Sequence, residues 1–280
     1  MKGQAKMKNK RHPGLFAIPY VLWLALFVIL PILLIVWYSF TNTNQYLTLQ
    51  NYRTFFTNGT FLRMSLNSFW YAFLITLTTL LISYPAAYFL TKLKNQQFWL
   101  LLIILPTWIN LLLKAYAFIG ILGRQGLVNH FLQLFGLGPV NMLSTNFGFL
   151  LVATYIEIPF MILPIYNAIA AIDPALIQAS EDLGASKWKT FRFVLWPLSR
   201  AGVESGIQAI FIPSLSLFML TRLIGGNRVI TLGTAIEEYF MTTMNWNMGA
   251  TIGVILIAMM ILVMLLTGNK PAHGRRMHHE

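Results

Sequence analysis

Residues 15–40 read LFAIPYVLWLALFVILPILLIVWYSF, a run that contains no charged residue. The run is apolar around its whole circumference, as a helix must be when lipid surrounds it and only its own backbone can satisfy its peptide groups. About 20 such residues cross the hydrocarbon core of a bilayer, so the run predicts a membrane-spanning helix. Its length and the lack of a small-residue cleavage site predict a retained anchor rather than a cleaved signal peptide.

Five more runs of the same kind follow, which predicts an all-α integral membrane bundle of six transmembrane helices. The six spans are expected at about 15–40, 66–90, 98–122, 147–172, 198–223 and 248–267. Lysine and arginine concentrate on the two tails and on the second and fourth connectors. Because loops kept in the cytoplasm are enriched in these residues, we expect both tails, residues 1–14 and 268–280, to be cytoplasmic.

The composition excludes several classes of function. The chain is 57% hydrophobic and 10% charged, and it has no cysteine, which excludes disulfides and thiolate sites. No metal site is expected, because the histidines lie in the tails or a loop: His12, His130, His273, His278 and His279. The net charge of +12 sits on short connectors rather than on one basic face, which argues against nucleic-acid binding. A phosphate-binding GxxxxGK[ST] motif is absent from the sequence, so ATP is not expected to bind here.

Prolines recur inside the apolar runs, and each removes a backbone donor from its helix. They are Pro31, Pro85, Pro106, Pro159, Pro164 and Pro213. They predict either hinges of a moving pathway or ordinary bends that a membrane bundle tolerates.

The connector 173–197 predicts two short helices joined by a glycine corner. Asp173 can cap a helix that starts at Pro174 and that Gly184 ends, and Ser186 can cap a second helix. Trp188, Phe191 and Leu195 are expected to form an apolar stripe on that second helix. Glu181 and Asp182 fall in the last turn of the first helix, where the helix dipole disfavours anions. Either they face cations on a partner, or water screens them.

The same connector resembles the coupling loop of ABC importer permeases, whose pattern is EAA-x3-G-x9-I-x-LP. It reads QASEDLG over residues 178–184 and, after nine residues, VLWP over residues 194–197. Ala179, Gly184 and Pro197 match the pattern outright. Gln178 stands where the family's glutamate usually sits, and Ser180 replaces the second alanine. Val194 and Trp196 replace isoleucine and leucine.

The resemblance implies a type I (MetI-like) ABC importer permease, with residues 15–267 as a permease domain in the cell membrane. In that family the loop docks into a groove of an ATPase subunit. The expected coupling residues are Gln178, Ala179, Ser180, Glu181, Asp182, Gly184 and Pro197. The implied partners are a second similar permease, two ATPase subunits and an extracytoplasmic substrate-binding protein. This chain is then not an enzyme and holds no cofactor, since the ATPase subunits would bind ATP and Mg²⁺.

Four shorter phrases resemble the first permease subunit of spermidine and putrescine importers. They are LPTW at 105–108, IPFM at 158–161, DLGAS at 182–186 and LIGG at 223–226. The resemblance implies a polyamine substrate, with another small solute as the alternative.

Ionisable residues inside the spans are functional candidates, because burying a charge at mid-bilayer is costly. They are Lys114, Glu157, Glu204 and Arg222. A polycation needs carboxylates and aromatic faces that replace water around its ammonium groups. We therefore expect a substrate pathway built from Trp108, Lys114, Tyr116, Tyr155, Glu157 and Tyr166, with Glu237 and Glu238 at an acidic outer mouth. An ion pair between Lys114 and Glu157 that merely holds the bundle together is the alternative for those two residues.

Two other classes of protein fit less well. A proton-coupled secondary transporter could use Glu157 or Glu204 as a relay, but such carriers usually show repeated halves, and the sequence has no convincing repeat. An integral membrane enzyme would need a nucleophile with a base, a metal cluster or paired carboxylates at usable spacing, and none occurs in the sequence.

Overall fold

The computed structural model describes residues 13–42 and 44–267, and regular structure in these ranges is helical apart from one isolated bridge between Thr41 and Leu47. The α-helices in chain order are α1 (Pro13–Leu24), α2 (Leu30–Ser39), α3 (Gln50–Thr57), α4 (Gly59–Leu90), α5 (Gln96–Ile104), α6 (Leu111–Leu122), α7 (Leu127–Leu134), α8 (Asn146–Ala170), α9 (Pro174–Asp182), α10 (Lys187–Thr190), α11 (Trp196–Ser214), α12 (Phe218–Leu220), α13 (Leu232–Glu237) and α14 (Trp246–Thr267). Shorter π-helical and 3₁₀ turns join several of them.

Helices long and apolar enough to cross a membrane dominate the chain. Five qualify: Ile18–Ser39, Gly59–Leu90, Leu111–Leu134, Asn146–Ala170 and Trp246–Thr267. A sixth span results if the bent pair Lys187–Ser214 and Phe218–Gly225 is counted as one. The predicted all-α membrane bundle is therefore confirmed, while the cytoplasmic placement of both tails stays a prediction. The tails themselves, except residues 13 and 14, lie outside the described residues.

The predicted bounds of the third span, 98–122, are wrong: the spanning helix is Leu111–Leu134, and a shorter apolar helix, Gln96–Trp108, precedes it after a break. After α5 the chain tightens into a 3₁₀ turn, Leu105–Trp108, and Ile109 is extended before α6 begins. Pro106 explains the interruption, because a proline offers no N–H to the preceding turn. The side chain of Asn110 restarts the helix by accepting a hydrogen bond from the backbone N–H of Leu112 at 2.8 Å.

The predicted span 198–223 also differs, at both of its ends. Its helix begins at Lys187 and runs through α10, a π-helical turn at Phe191–Leu195 and α11 to Ser214. The wide turn is explained by Pro197, which cannot donate to the carbonyl of Phe193. Beyond Ser214 the axis bends by 59° into Phe218–Gly225.

The centre of the bundle is built from α4, α8 and α11, whose buried faces form one apolar cluster. Gly202 lies where α11 crosses α8. A Cβ atom there would come within 2.5 Å of both the carbonyl oxygen of Pro164 and the Cβ of Ala168. Small residues at such a crossing let two helix backbones approach closely, which is how membrane helices gain packing contacts. Gly202 therefore sets the distance between the fourth and fifth spans.

The first and last spans form a second, smaller contact. Helix α14 packs against α2, where the hydroxyl of Thr251 donates to the carbonyl of Ser39 at 3.2 Å and the amide of Asn247 donates to the hydroxyl of Thr41 at 2.9 Å. Most of the first span is otherwise exposed. Its apolar surface fits a lipid environment.

Candidate coupling loop and transport pathway

The loop between α8 and α11 has the two-helix form that its local signals predict. The carboxylate of Asp173 accepts a hydrogen bond from the N–H of Ala175 at 2.9 Å, and Pro174 is the first residue of α9. Gly184 adopts φ +76°, a left-handed conformation that glycine reaches without a Cβ penalty. There the N–H of Ala185 donates to the carbonyl of Ser180 at 3.1 Å, closing α9. The predicted glycine corner is confirmed.

The corner presents apolar side chains to its surroundings. Leu183, next to Gly184, is 88% exposed, and Trp188 in α10 is 68% exposed. Trp188 stacks on Phe191 with ring centroids 5.3 Å apart, whereas Leu195 at the other end of the predicted stripe is buried in the bundle. The stripe therefore has one end against the bundle and one end free, as expected of a loop that docks into a partner.

The polar residues of the coupling corner differ in their surroundings. Ser180 is half-buried, and its hydroxyl lies 3.0 Å from that of Thr190, so a hydrogen bond joins α9 to α10. Gln178 is exposed, and so are Glu181 and Asp182. Neither carboxylate has an ion-pair partner within 4.0 Å among the described residues. Both remain accessible to a partner protein.

Pro197 lies apart from the corner, in the first turn of α11. The predicted coupling residues thus separate into an exposed corner, residues 178–184, and a proline inside the helix that leads from it into the bundle.

Tyr84 of α4 connects α11 and the turn before it to the rest of the bundle. The sequence gives no signal that singles this tyrosine out. Its hydroxyl lies 2.8 Å from that of Ser199, in a buried hydrogen bond between α4 and α11. Its ring meets Phe191 edge-on, with centroids 5.6 Å apart, and lies 5.5 Å from Trp196. One tyrosine in an apolar run is ordinary, so only the three-dimensional structure identifies the contact.

The two central charges lie on neighbouring spans but form no direct ion pair. Glu157 in α8 is buried, with 8% of its surface exposed, and Lys114 lies in α6. Helices α6 and α8 are in contact, yet the charged atoms of these two residues are not within 4.0 Å. The alternative of a bundle-holding ion pair between them is therefore not found among the described residues. Lys114 instead lines a cavity of about 220 Å³ together with Thr107 and Tyr155.

The aromatic residues of the predicted pathway do not form one box. Trp108 is 82% exposed beside the break in the third span, and Tyr116 is also exposed. Tyr155 lines the cavity with Lys114 and packs edge-on against Phe118. Tyr166 lies elsewhere, buried near the coupling-loop end, where its hydroxyl donates to Gln96 at 2.7 Å. The structure thus brings together Lys114 and Tyr155, and it separates Tyr166 from them.

The break in the third span is informative about its surroundings. Irregular backbone at membrane depth is tolerated where it is buried in protein or lines a water-filled cavity. Ile109 and Asn110 are exposed at this break, and Trp108 projects beside them. The break lies between the shorter apolar helix Gln96–Trp108 and the spanning helix Leu111–Leu134, so wherever it enters the apolar layer its exposed backbone needs protein or water beside it.

The remaining charges near the spans pair locally. Arg222 forms an ion pair with Glu237 at 2.5 Å, and Arg200 forms one with Glu204 at 2.7 Å. Glu238 is exposed at the start of the π-helical turn Glu238–Thr242. Because Arg222 neutralises Glu237, Glu238 is the more available carboxylate of the predicted acidic mouth. The described residues contain no group of three or more histidine, aspartate or glutamate side chains that could hold a metal ion.

These features define an integral membrane transport subunit, and the chain belongs to the family of binding-protein-dependent transport system inner membrane components, which it matches over residues 51–269. It is therefore a permease subunit of an ABC importer rather than a catalytic enzyme. The chain is 34% identical over 254 residues to the spermidine/putrescine transport system permease protein PotB of Escherichia coli, covering 87% of this chain and 92% of the relative. The PotB protein of Salmonella typhimurium is 32% identical over 276 residues, covering 95% and 94%.

A solved structure has the same fold. One chain of a bacterial alginate ABC transporter, crystallised in complex with an alginate pentasaccharide-bound periplasmic protein, superposes with a TM-score of 0.79 at 18% identity. The match covers 91% of this chain and 92% of the other. At that identity the likeness establishes the architecture alone.

Proposed function

We propose that this permease carries polyamines of the spermidine and putrescine class into the cell. The observation that supports the substrate is the similarity to polyamine permeases over nearly the whole chain, at 32–34% identity. Because the same architecture also occurs in an alginate transporter, the fold alone does not select a solute. Another small solute is the alternative.

In this proposal the chain forms one half of a pathway, with a second permease as the other half. Two ATPase subunits bind ATP and Mg²⁺, and an extracytoplasmic protein delivers the substrate. The exposed break at 105–110 is the surface on which the second permease or the water-filled pathway lies. Irregular, exposed backbone at Ile109 and Asn110 favours such a neighbour, because lipid cannot satisfy its polar groups.

The corner 178–184 is the proposed contact with the ATPase. Its exposed leucine supplies apolar area, and the unpaired carboxylates of Glu181 and Asp182 are available to cations of the ATPase. Movement of the ATPase would enter the bundle along the helix that starts at Lys187, because that helix continues into the fifth span.

Within the pathway, Glu157 is the proposed carboxylate for a substrate ammonium group. It has no ion-pair partner within 4.0 Å among the residues described. Glu157 does not itself line the cavity, but its chain neighbours Ile156 and Ile158 do, together with Tyr155, which offers an aromatic face to a cation. Lys114 lines the same cavity and adds a positive charge that the substrate must pass. Glu238 is the proposed acidic group at the outer mouth.

Uptake of radiolabelled spermidine and putrescine tests the proposal in cells that lack this chain, with and without the chain restored alongside its partners. ATP is depleted in a parallel arm while the proton gradient is maintained. We expect uptake that returns with the chain and stops when ATP is depleted. Uptake that follows the gradient would indicate a secondary carrier, and no uptake of either polyamine would exclude this substrate class.

A further inference from the structure

A second cavity, of about 300 Å³, lies at the end of the bundle that carries the coupling loop. Its lining comes from several parts of the chain that meet there: the end of α4 and the turn after it, the first turn of α5, the end of α8, the loop helices α9 and α10, and Leu195 in the π-helical turn. Among the lining side chains are Tyr88, Lys92, Gln96, Glu181, Lys187 and Thr190. The cavity lies at the junction between loop and spans, and none of the residues proposed for the transport pathway lines it.

Two lysines from separate elements converge on the cavity. The ammonium group of Lys92 donates to the hydroxyl of Tyr88 and lies 4.2 Å from the centre of its ring, which holds the charge at the edge of the cavity. Lys187 begins α10 on the other side. Neither lysine has an ion-pair partner within 4.0 Å in the part of the chain that the structure describes. Two lysines against the one carboxylate of Glu181 leave the lining with an excess positive charge.

The neutral polar groups of the lining are already occupied. Gln96 donates its amide N–H to the carbonyl of Thr91 at 2.8 Å and accepts from Tyr166. The hydroxyl of Thr190 is hydrogen-bonded with Ser180. The hydroxyl of Thr91 is also bonded, to the carbonyl of Tyr88, so most of the free hydrogen-bonding capacity of the cavity belongs to its charged groups. The donors among these are ammonium groups, which suit an anion.

The surroundings of the cavity match the headgroup level of a bilayer. The apolar helices α4 and α8 end here, at Leu90 and Ala170, and α5 begins here. Exposed aromatic side chains, Phe89 and Phe98, lie in the last turn of α4 and the first turn of α5. Aromatic rings concentrate at the membrane–water interface, and basic pockets between membrane helices bind anionic headgroups.

We infer that this cavity binds the phosphate of an acidic phospholipid headgroup, with Lys92 and Lys187 as its two cationic ligands and the acyl chains running along the exposed rings of Phe89 and Phe98 nearby. The lipid would then join the end of the second span to the first residue of the helix that leads into the fifth. In membranes rich in acidic lipid, the coupling loop would be held most firmly against the ends of the spans. The inference does not depend on the identity of the transported solute.

Binding of a short-chain phosphatidylglycerol to the purified full-length chain, co-purified with its partner subunits, tests the inference. Short-chain phosphatidylcholine and inorganic phosphate are the comparison probes. We expect Lys92→Gln and Lys187→Gln each to weaken phosphatidylglycerol binding by about fivefold, the usual worth of one lysine near an acidic headgroup. Lys94→Gln is the matched control, because Lys94 is an exposed lysine two residues away that does not line the cavity.

Glu181→Gln should change phosphatidylglycerol binding in the direction opposite to that of the two lysine variants. Removing the one carboxylate of the lining should tighten phosphatidylglycerol binding, which a general loss of structure would not do. The inference is overturned if the Lys92 and Lys187 variants bind like Lys94→Gln, or if phosphatidylcholine binds as tightly as phosphatidylglycerol. Inorganic phosphate that binds as tightly as the lipid, with the same response to the variants, would show that a free anion and not a lipid is the ligand.

Discussion

Two substitutions at Gly184 can separate the effect of backbone strain at the coupling corner from the effect of the corner's contact with a partner. Its φ of +76° is a conformation that costs other L-residues about 1–2 kcal/mol, and a Cβ added there meets no atom of this chain within 4 Å. Gly184→Ala and Gly184→Glu therefore carry the same backbone strain and no internal clash. Either cost is small beside a typical stability of about 5–15 kcal/mol, so both variants should fold and insert.

The two variants differ in what they present to the ATPase. We expect Gly184→Ala to keep a measurable part of the ATP-driven uptake and Gly184→Glu to abolish it, because only glutamate adds bulk and charge to the docking surface. The assay is initial uptake by cells in which membrane levels of each variant are matched by immunoblot, with ATPase activity of the purified assembly as a second readout. A correctly inserted Gly184→Glu protein that transports as well as Gly184→Ala would refute the assignment of this corner to the partner contact.

Three further predictions concern the bundle and the pathway. Gly202→Ala should lower the stability of the detergent-solubilised protein by about 1–3 kcal/mol in thermal unfolding, because its Cβ overlaps the facing helix. The control is Gly120→Ala, whose Cβ meets nothing within 4 Å and which should leave the stability unchanged or raise it slightly. Glu157→Gln should raise the KM for polyamine uptake about tenfold or more, since a charge-assisted contact is lost, and unchanged kinetics at matched membrane levels would return this residue to a packing role. Tyr84→Phe and Ser199→Ala should each cost about 1 kcal/mol of unfolding free energy, and the double variant should cost less than the sum of the two, whereas strict additivity would show that their buried hydrogen bond contributes nothing.

The parts of the fold that the sequence predicts are those governed by local chemistry. Asp173, Gly184 and Ser186 each act within a few residues of their own position, so the coupling corner could be placed from caps and a single glycine. The apolar runs likewise locate most spans to within several residues, because a bilayer imposes a length on them.

Features that depend on distant partners could not be predicted in this way. Tyr84 and Ser199 are 115 residues apart, and nothing in either stretch marks them as neighbours. Arg222 and Glu237 are 15 residues apart on different elements, and nothing in the sequence marks them as an ion pair. The missing ion pair between Lys114 and Glu157 has the same cause, since spacing along two helices does not fix the rotation of one against the other.

The continuity of the helix from Lys187 to Ser214 has a mechanical consequence. At 1.5 Å per residue it is a rod about 42 Å long, with the coupling corner at one end and the 59° bend at the other. A tilt of only about 6° about its middle would carry each end through roughly 2 Å, in opposite directions. The close crossing at Gly202 lies near the middle of the rod and would act as its fulcrum. A small displacement at the corner would then become a comparable and opposite displacement deep in the membrane.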